Sequence, residues 1–106
     1  MTIEDLIKPV EGRFFSLCEN SRIKRLYVFG SIVSGEFDNS SDLDFMVVSE
    51  EDPSLERGRR LWKLWDELES LFGRKVDLIT ESQLTNKYLK QSVDRSKQIV
   101  YDRTLS

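Results

Sequence analysis

Two aspartates separated by one leucine, Asp42-Leu43-Asp44, stand at the mouth of an apolar run, Phe45-Met46-Val47-Val48. Leu43 to Val48 reads as a strand, and strand side chains alternate between two faces. Asp42 and Asp44 therefore project together while Leu43 and Phe45 turn the other way. Their Cα atoms would lie roughly 6–7 Å apart, twice the rise per strand residue. Carboxylates held that close repel unless a cation sits between them.

The stretch leading to this pair is equally restrictive. Ile23 to Phe29, rich in β-branched and aromatic residues, reads as a strand that runs into Gly30-Ser31. The polar run Asp38-Asn39-Ser40-Ser41 is the loop before the acids. Gly30 offers a backbone N–H with no Cβ in the way and Ser31 adds a hydroxyl, which suits a phosphate oxygen. A short helical or irregular segment, Ile32 to Ser34, follows, and its opening N–H groups would face such a phosphate. The hard ion that accepts carboxylate oxygens and keeps sites for water and phosphate is Mg²⁺. A phosphate cradle followed by a carboxylate pair describes a metal-nucleotide site. The spacing fits neither a calcium loop nor a P-loop, since the glycine and distal Glu of the first and the Gly-Lys-Ser/Thr of the second are missing.

Farther on, Lys75 to Thr80 reads as a third strand with an aspartate, Asp77, in its middle. Burying it unpaired is costly, so Asp77 is read as a third carboxylate of the same site.

Gly30-Ser31, ten residues and Asp42-Leu43-Asp44 together resemble the G-S-x10-D-x-D signature of the DNA polymerase beta-like nucleotidyltransferase superfamily. The chain is most similar to its minimal nucleotidyltransferases, the partners of HEPN-domain proteins in toxin–antitoxin pairs, and the likeness runs from about Leu6 to Tyr101. The resemblance implies that Gly30 and Ser31 bind a nucleoside triphosphate, expected to be ATP. It implies that Asp42, Asp44 and Asp77 are catalytic and hold two Mg²⁺ ions, with Asp77 nearest the acceptor. It also implies a HEPN-type protein partner. Relatives usually read G-S-R-A-R-G where this chain has Gly30-Ser31-Ile32-Val33-Ser34-Gly35, so two cations are absent.

Composition narrows the alternatives. A chain of 106 residues forms one domain, here 1–106, with a single core. Its 39% hydrophobic and 33% charged residues are ordinary for a globular protein. A net charge of −3 without a basic run argues against broad nucleic-acid binding. One cysteine excludes an internal disulfide, and with no signal peptide or membrane-length apolar run the expectation is a cytoplasmic protein. The absence of histidine removes His-based acid–base and nucleophile chemistry and most zinc sites. Any catalysis falls to carboxylates and metal.

The remaining chain supplies helices. Residues 2–19 show one apolar helical face, opened by a Thr2–Asp5 capping box and kinked or restarted at Pro9. After an acidic loop from Ser49 to Ser54, a helix from about Ser54 to Leu71 carries Leu55, Leu61, Trp62, Leu64, Trp65 and Leu68 on its apolar side. Gly73 closes it. A last helix is expected from Glu81 to Val93, then a short edge strand at Gln98 to Tyr101 and a frayed tail from Asp102. The expected class is α/β (α+β), a small mixed sheet with helices mainly on one face. Three functions stay open: an adenylyltransferase acting on a HEPN-type toxin, a non-catalytic antitoxin of the same fold, and a transferase for a small molecule or RNA end. Homo-oligomerisation is left open.

Overall fold

The sheet is set by four short, largely apolar segments: β1 (Ile23–Phe29), β2 (Leu43–Ser49), β3 (Val76–Thr80) and β4 (Gln98–Asp102). The structure, a computed structural model, describes residues 2–38, 40–49 and 55–105. Among these the strands lie in the order β3-β2-β1-β4. β1 is antiparallel to both neighbours, and β2 and β3 are parallel. The sheet is therefore mixed, as expected.

Helices cover it from both sides, unequally. α1 (Ile3–Ile7), α2 (Glu11–Asn20), α3 (Ser31–Ser34) and α4 (Leu55–Phe72) serve one face. There Phe14, Cys18, Leu64 and Leu68 pack on Leu26, Val28, Leu43, Phe45, Val47, Val76 and Leu78. Burying a large side chain of this kind contributes about 1.5–3 kcal/mol, so this face holds most of the core. Cys18 is wholly buried, and burial pushes its thiol up to about 12, the behaviour of a packing residue. α5 (Lys87–Ser96) lies on the other face, where Val93 and the preceding Leu84 cover Met46, beside Tyr27, Phe29 and Ile79.

Local chemistry explains the helix boundaries. Thr2 Oγ1 accepts from the Asp5 amide (3.2 Å) and the Thr2 amide donates to Asp5 Oδ2 (3.0 Å), completing the expected capping box. Pro9 falls in a 3₁₀ turn, Lys8–Val10, which splits the first helical face into α1 and α2. Gly73, at φ +62, ends α4 by donating to the Glu69 carbonyl. The acidic loop at residues 50–54, with the expected start of α4 at Ser54, lies outside the described residues.

Three expectations need correction. The helix anticipated from Glu81 to Val93 is a 3₁₀ turn, Glu81–Gln83, and then a separate helix, Lys87–Ser96. Leu84 leaves the helical region (φ −82, ψ 74) to enter the core, and Asn86 Oδ1 caps the new helix by accepting from Tyr88 and Leu89. Trp62 and Leu55 are not core-facing, being 72% and 81% exposed. Trp62 stacks on Trp65 (5.8 Å between centroids), whose Nε1 donates to the Val76 carbonyl on the outer edge of β3. The tail from Asp102 is a 3₁₀ turn through Leu105, because Asp102 Oδ1 accepts from both the amide and the hydroxyl of Thr104.

Candidate active site

Sheet register assembles the acids. Asp44 of β2 pairs with Asp77 of the parallel β3 and also faces Phe29, the last residue of the antiparallel β1. Period two places Asp44 with Met46, and Asp77 with Ile79, on the face that carries α5. The next row, Tyr27, Met46 and Ile79, borders the buried cluster under Leu84 and Val93. Asp77 is exposed, while Asp42 and Asp44 are half-buried.

Their electrostatics fit this placement. The Asp44 carboxyl is raised above its ordinary 3.8, first by burial, then by the charges of Asp77 and Asp42. Every contribution at Asp44 pushes the same way, so the charged form lacks a compensating cation. The sign for stability follows. A group raised on folding gives its full contribution below the unfolded value and loses it as the pH climbs through the folded one. Ionised Asp44 therefore destabilises the metal-free protein at neutral pH. Asp44→Asn should melt at or above the wild-type temperature at pH 7 in chelator, with the difference shrinking toward pH 3. A marked fall at pH 7 would show that Asp44 has a structural partner.

Gly30 brings the opposite wall of the site against Asp44. It ends β1 at φ +80, ψ −145, a conformation that L side chains rarely adopt. A Cβ there would overlap Oδ2 of Asp44 and lie 3.3 Å from its Cγ. The Asp44 carboxylate can lie against the backbone just after β1 only because residue 30 has no side chain. Ser31 opens α3, whose carbonyl-side hydrogen bonds begin with Val33 and Ser34 donating to Gly30 O. Helix geometry leaves the Ser31 and Ile32 amides without an intrahelical acceptor. Gly30, Ser31, Asp42, Asp44 and Asp77 thus converge on one corner of the sheet.

The two positions that differ from the G-S-R-A-R-G pattern have unequal surroundings. Ile32 is buried in the main core, whereas Ser34 is exposed. Ile32→Arg should cost about 3 kcal/mol or more, through lost apolar burial and an unpaired buried charge. Ser34→Arg should be nearly neutral. Denaturant midpoints of the two variants measure the contrast, and equal midpoints would contradict the burial of Ile32.

As a donor set, three carboxylates beside an open glycine offer only hard oxygen ligands, the chemistry that suits Mg²⁺. Among the described residues, no group of three Asp, Glu, Cys or His side chains is arranged to hold a metal ion as it stands. Mutual repulsion at Asp44 is what a cation would relieve, and the Ser31 and Ile32 amides are donors a phosphate could accept from.

Sequence reasoning missed the loop supports. Asp38 Oδ1 accepts from the Ser40 amide (2.8 Å), the Ser40 hydroxyl (2.7 Å) and the Ser41 hydroxyl (3.2 Å). These bonds, those from Ser40 first, hold its carboxyl below the usual range. The Asp-x-Ser-Ser spacing could have signalled that turn. Arg74, which donates to the same loop from 33 and 36 residues away, left no local signal.

The fold is shared with known proteins. The nucleotidyltransferase domain family matches residues 16–103. The protein adenylyltransferase MntA of Thermococcus cleftensis is 33% identical over 101 residues, covering 95% of this chain and 96% of its own length. A solved structure assigned to a minimal nucleotidyltransferase superposes with a TM-score of 0.67 at 32% identity, over 94% of this chain and 97% of that one. The fold also matches a structure of tri-AMPylated Shewanella oneidensis HEPN toxin in complex with MNT antitoxin. That match has a TM-score of 0.59 and 20% identity, over 90% of this chain and 71% of that one.

Proposed function

This chain belongs to the nucleotidyltransferase domain family and is an enzyme of that class; we propose that it transfers AMP from ATP to a hydroxyl of a HEPN-type partner and thereby acts as an antitoxin. The observation that carries the reading is the pairing of Asp44 with Asp77, with the Asp44 carboxylate lying against Gly30, just before Ser31, where a Cβ would collide with it. The adenylyltransferase name of the T. cleftensis relative supports AMP as the transferred group. The AMPylated toxin in the S. oneidensis complex supports the kind of acceptor. A buried, unreactive Cys18 accords with a cytoplasmic setting.

Gly30 and Ser31 hold the triphosphate through backbone N–H groups and the Ser31 hydroxyl. Asp42 and Asp44 would hold one Mg²⁺, and Asp77 would join them at a second. Bound there, the ions would neutralise charge on the phosphate oxygens and acidify the acceptor hydroxyl. The half-buried Asp44 forms the floor of the site. Asp77, exposed on the outermost strand, is the acid a docking partner reaches first. Fixed placement on paired strands lets these groups orient the reactants with little reorganisation.

The test mixes the protein with a HEPN-type partner, Mg²⁺ and ATP. The partner should gain mass in steps of one AMP, and Asp77→Ala should stop the gain while leaving the complex intact. A second reading has one observation in its favour: Ser34 is exposed but uncharged, so α3 offers no cation to the phosphates. On that reading the protein silences its partner by binding alone. Silencing without any mass change, and equally by Asp77→Ala, would establish it. Modification of a small molecule or RNA with no protein acceptor would point instead to the third class.

A further inference from the structure

Asp44 and Asp77 are fixed by the β2–β3 ladder, but Asp42 lies one residue before β2 begins. Its position depends on the loop that delivers it. That loop is gripped from outside by Arg74, which lies between Gly73 and β3. Arg74 Nη1 donates to the carbonyls of Asp38 and Ser41, both at 3.2 Å. The guanidinium also covers the buried Phe37 ring, with Cζ 4.4 Å from the centroid. The residue is half-buried, and its Nε is enclosed with no hydrogen-bond partner, a cost offset by the contacts its other atoms make. One residue farther along, Leu43 N donates to Lys75 O (3.1 Å), continuing the same seam.

We infer that Arg74 is a positioning residue for the acid site: it fastens Phe37, Asp38 and Ser41 to the segment just before β3 and so fixes Asp42 relative to Asp77. The two carbonyls it holds bracket the Asp38–Ser41 turn, and Arg74 stands three residues before Asp77. One side chain thus ties together the two segments that carry the outer acids. A lysine can reach a carbonyl but lacks the planar group that lies over Phe37 while bonding to the loop. Only the catalytic consequence rests on the proposed nucleotidyl transfer; the fastening itself is a property of the fold.

The experiment compares wild type, Arg74→Met and Arg74→Lys by amide hydrogen exchange and by the Mg²⁺ dependence of AMP transfer. In Arg74→Met the Ser41 amide, bonded to Asp38 O, should exchange about tenfold faster or more, the change expected on losing a hydrogen bond from a charged group. The Val28 amide, in the central strand, should not change. The Mg²⁺ concentration for half-maximal transfer should rise by a similar factor, and Arg74→Lys should recover part of both effects. Unchanged exchange at Ser41 overturns the inference. So does faster exchange at Ser41 with an unaltered Mg²⁺ requirement, or equal acceleration at Val28, which marks a global loss of stability. Should Arg74→Met fail to fold, Arg74→Lys against wild type carries the same comparison. A wild type that transfers no nucleotide sinks the functional reading, and exchange at Ser41 then decides the fastening by itself.

Discussion

The double variant Asp42→Asn/Asp44→Asn is expected to lose both AMP transfer and the stabilisation that Mg²⁺ with ATP gives the wild type. A ligand bound only by the folded state adds about 2.7 kcal/mol at a hundredfold excess over its Kd. In a domain of this size that is about 10 °C or more of melting temperature. Transfer should fall at least about a thousandfold, the upper range for losing one charge-stabilising group. In chelator the same variant should be no less stable than wild type, since Asp44 is raised by burial and by the charges of Asp77 and Asp42. Opposite movements of activity and metal-free stability are the signature of a site whose groups are held in mutual repulsion. Scanning calorimetry with and without Mg²⁺ and ATP measures one half, and mass spectrometry of the partner the other. An undiminished ligand shift in the double variant would place the nucleotide elsewhere.

Gly30→Ala should be nearly as damaging, for a different reason. The backbone at φ +80, ψ −145 costs a residue with a side chain on the order of 1–3 kcal/mol. The new methyl would also overlap Asp44 Oδ2. Relief requires the Asp44 carboxylate to swing away from its place beside Asp77 or the end of β1 to shift, and either rearranges the site beside Ser31. The variant should melt several degrees lower and transfer no AMP even at saturating Mg²⁺. Gly12→Ala is the control, because a Cβ there meets nothing within 4 Å and the site is in a helix. Wild-type activity in Gly30→Ala would show that the carboxylate of Asp44 does not need this space.

Part of this was legible in the residues themselves. Strands β1, β2 and β3 follow from short apolar runs rich in β-branched and aromatic residues, and the Thr2–Asp5 cap and the Gly73 stop from local side-chain chemistry. Such features depend on neighbours within about four residues. Asp42 and Asp44 could be placed near each other because only one residue separates them, although Asp42 stands just before β2 and owes its exact position to the loop. Trp62 was misread because helical periodicity cannot say where an apolar stripe ends. The break at Leu84–Asn86 was missed because it turns on Leu84 reaching Met46, a contact across the fold.

The sequence by itself determined which carboxylates are present, their spacing along the chain and the glycine that leaves room beside them. Tertiary structure alone decided that Asp77 lies in register with Asp44, since strand order depends on burial across the sheet and on a parallel connection through α4. It alone decided that Ile32 is buried while Ser34 is exposed. It also brought Arg74 to the loop before Asp42. A hydrogen bond between residues more than 30 apart leaves no periodicity in the chain, because only the assembled sheet brings its two ends together.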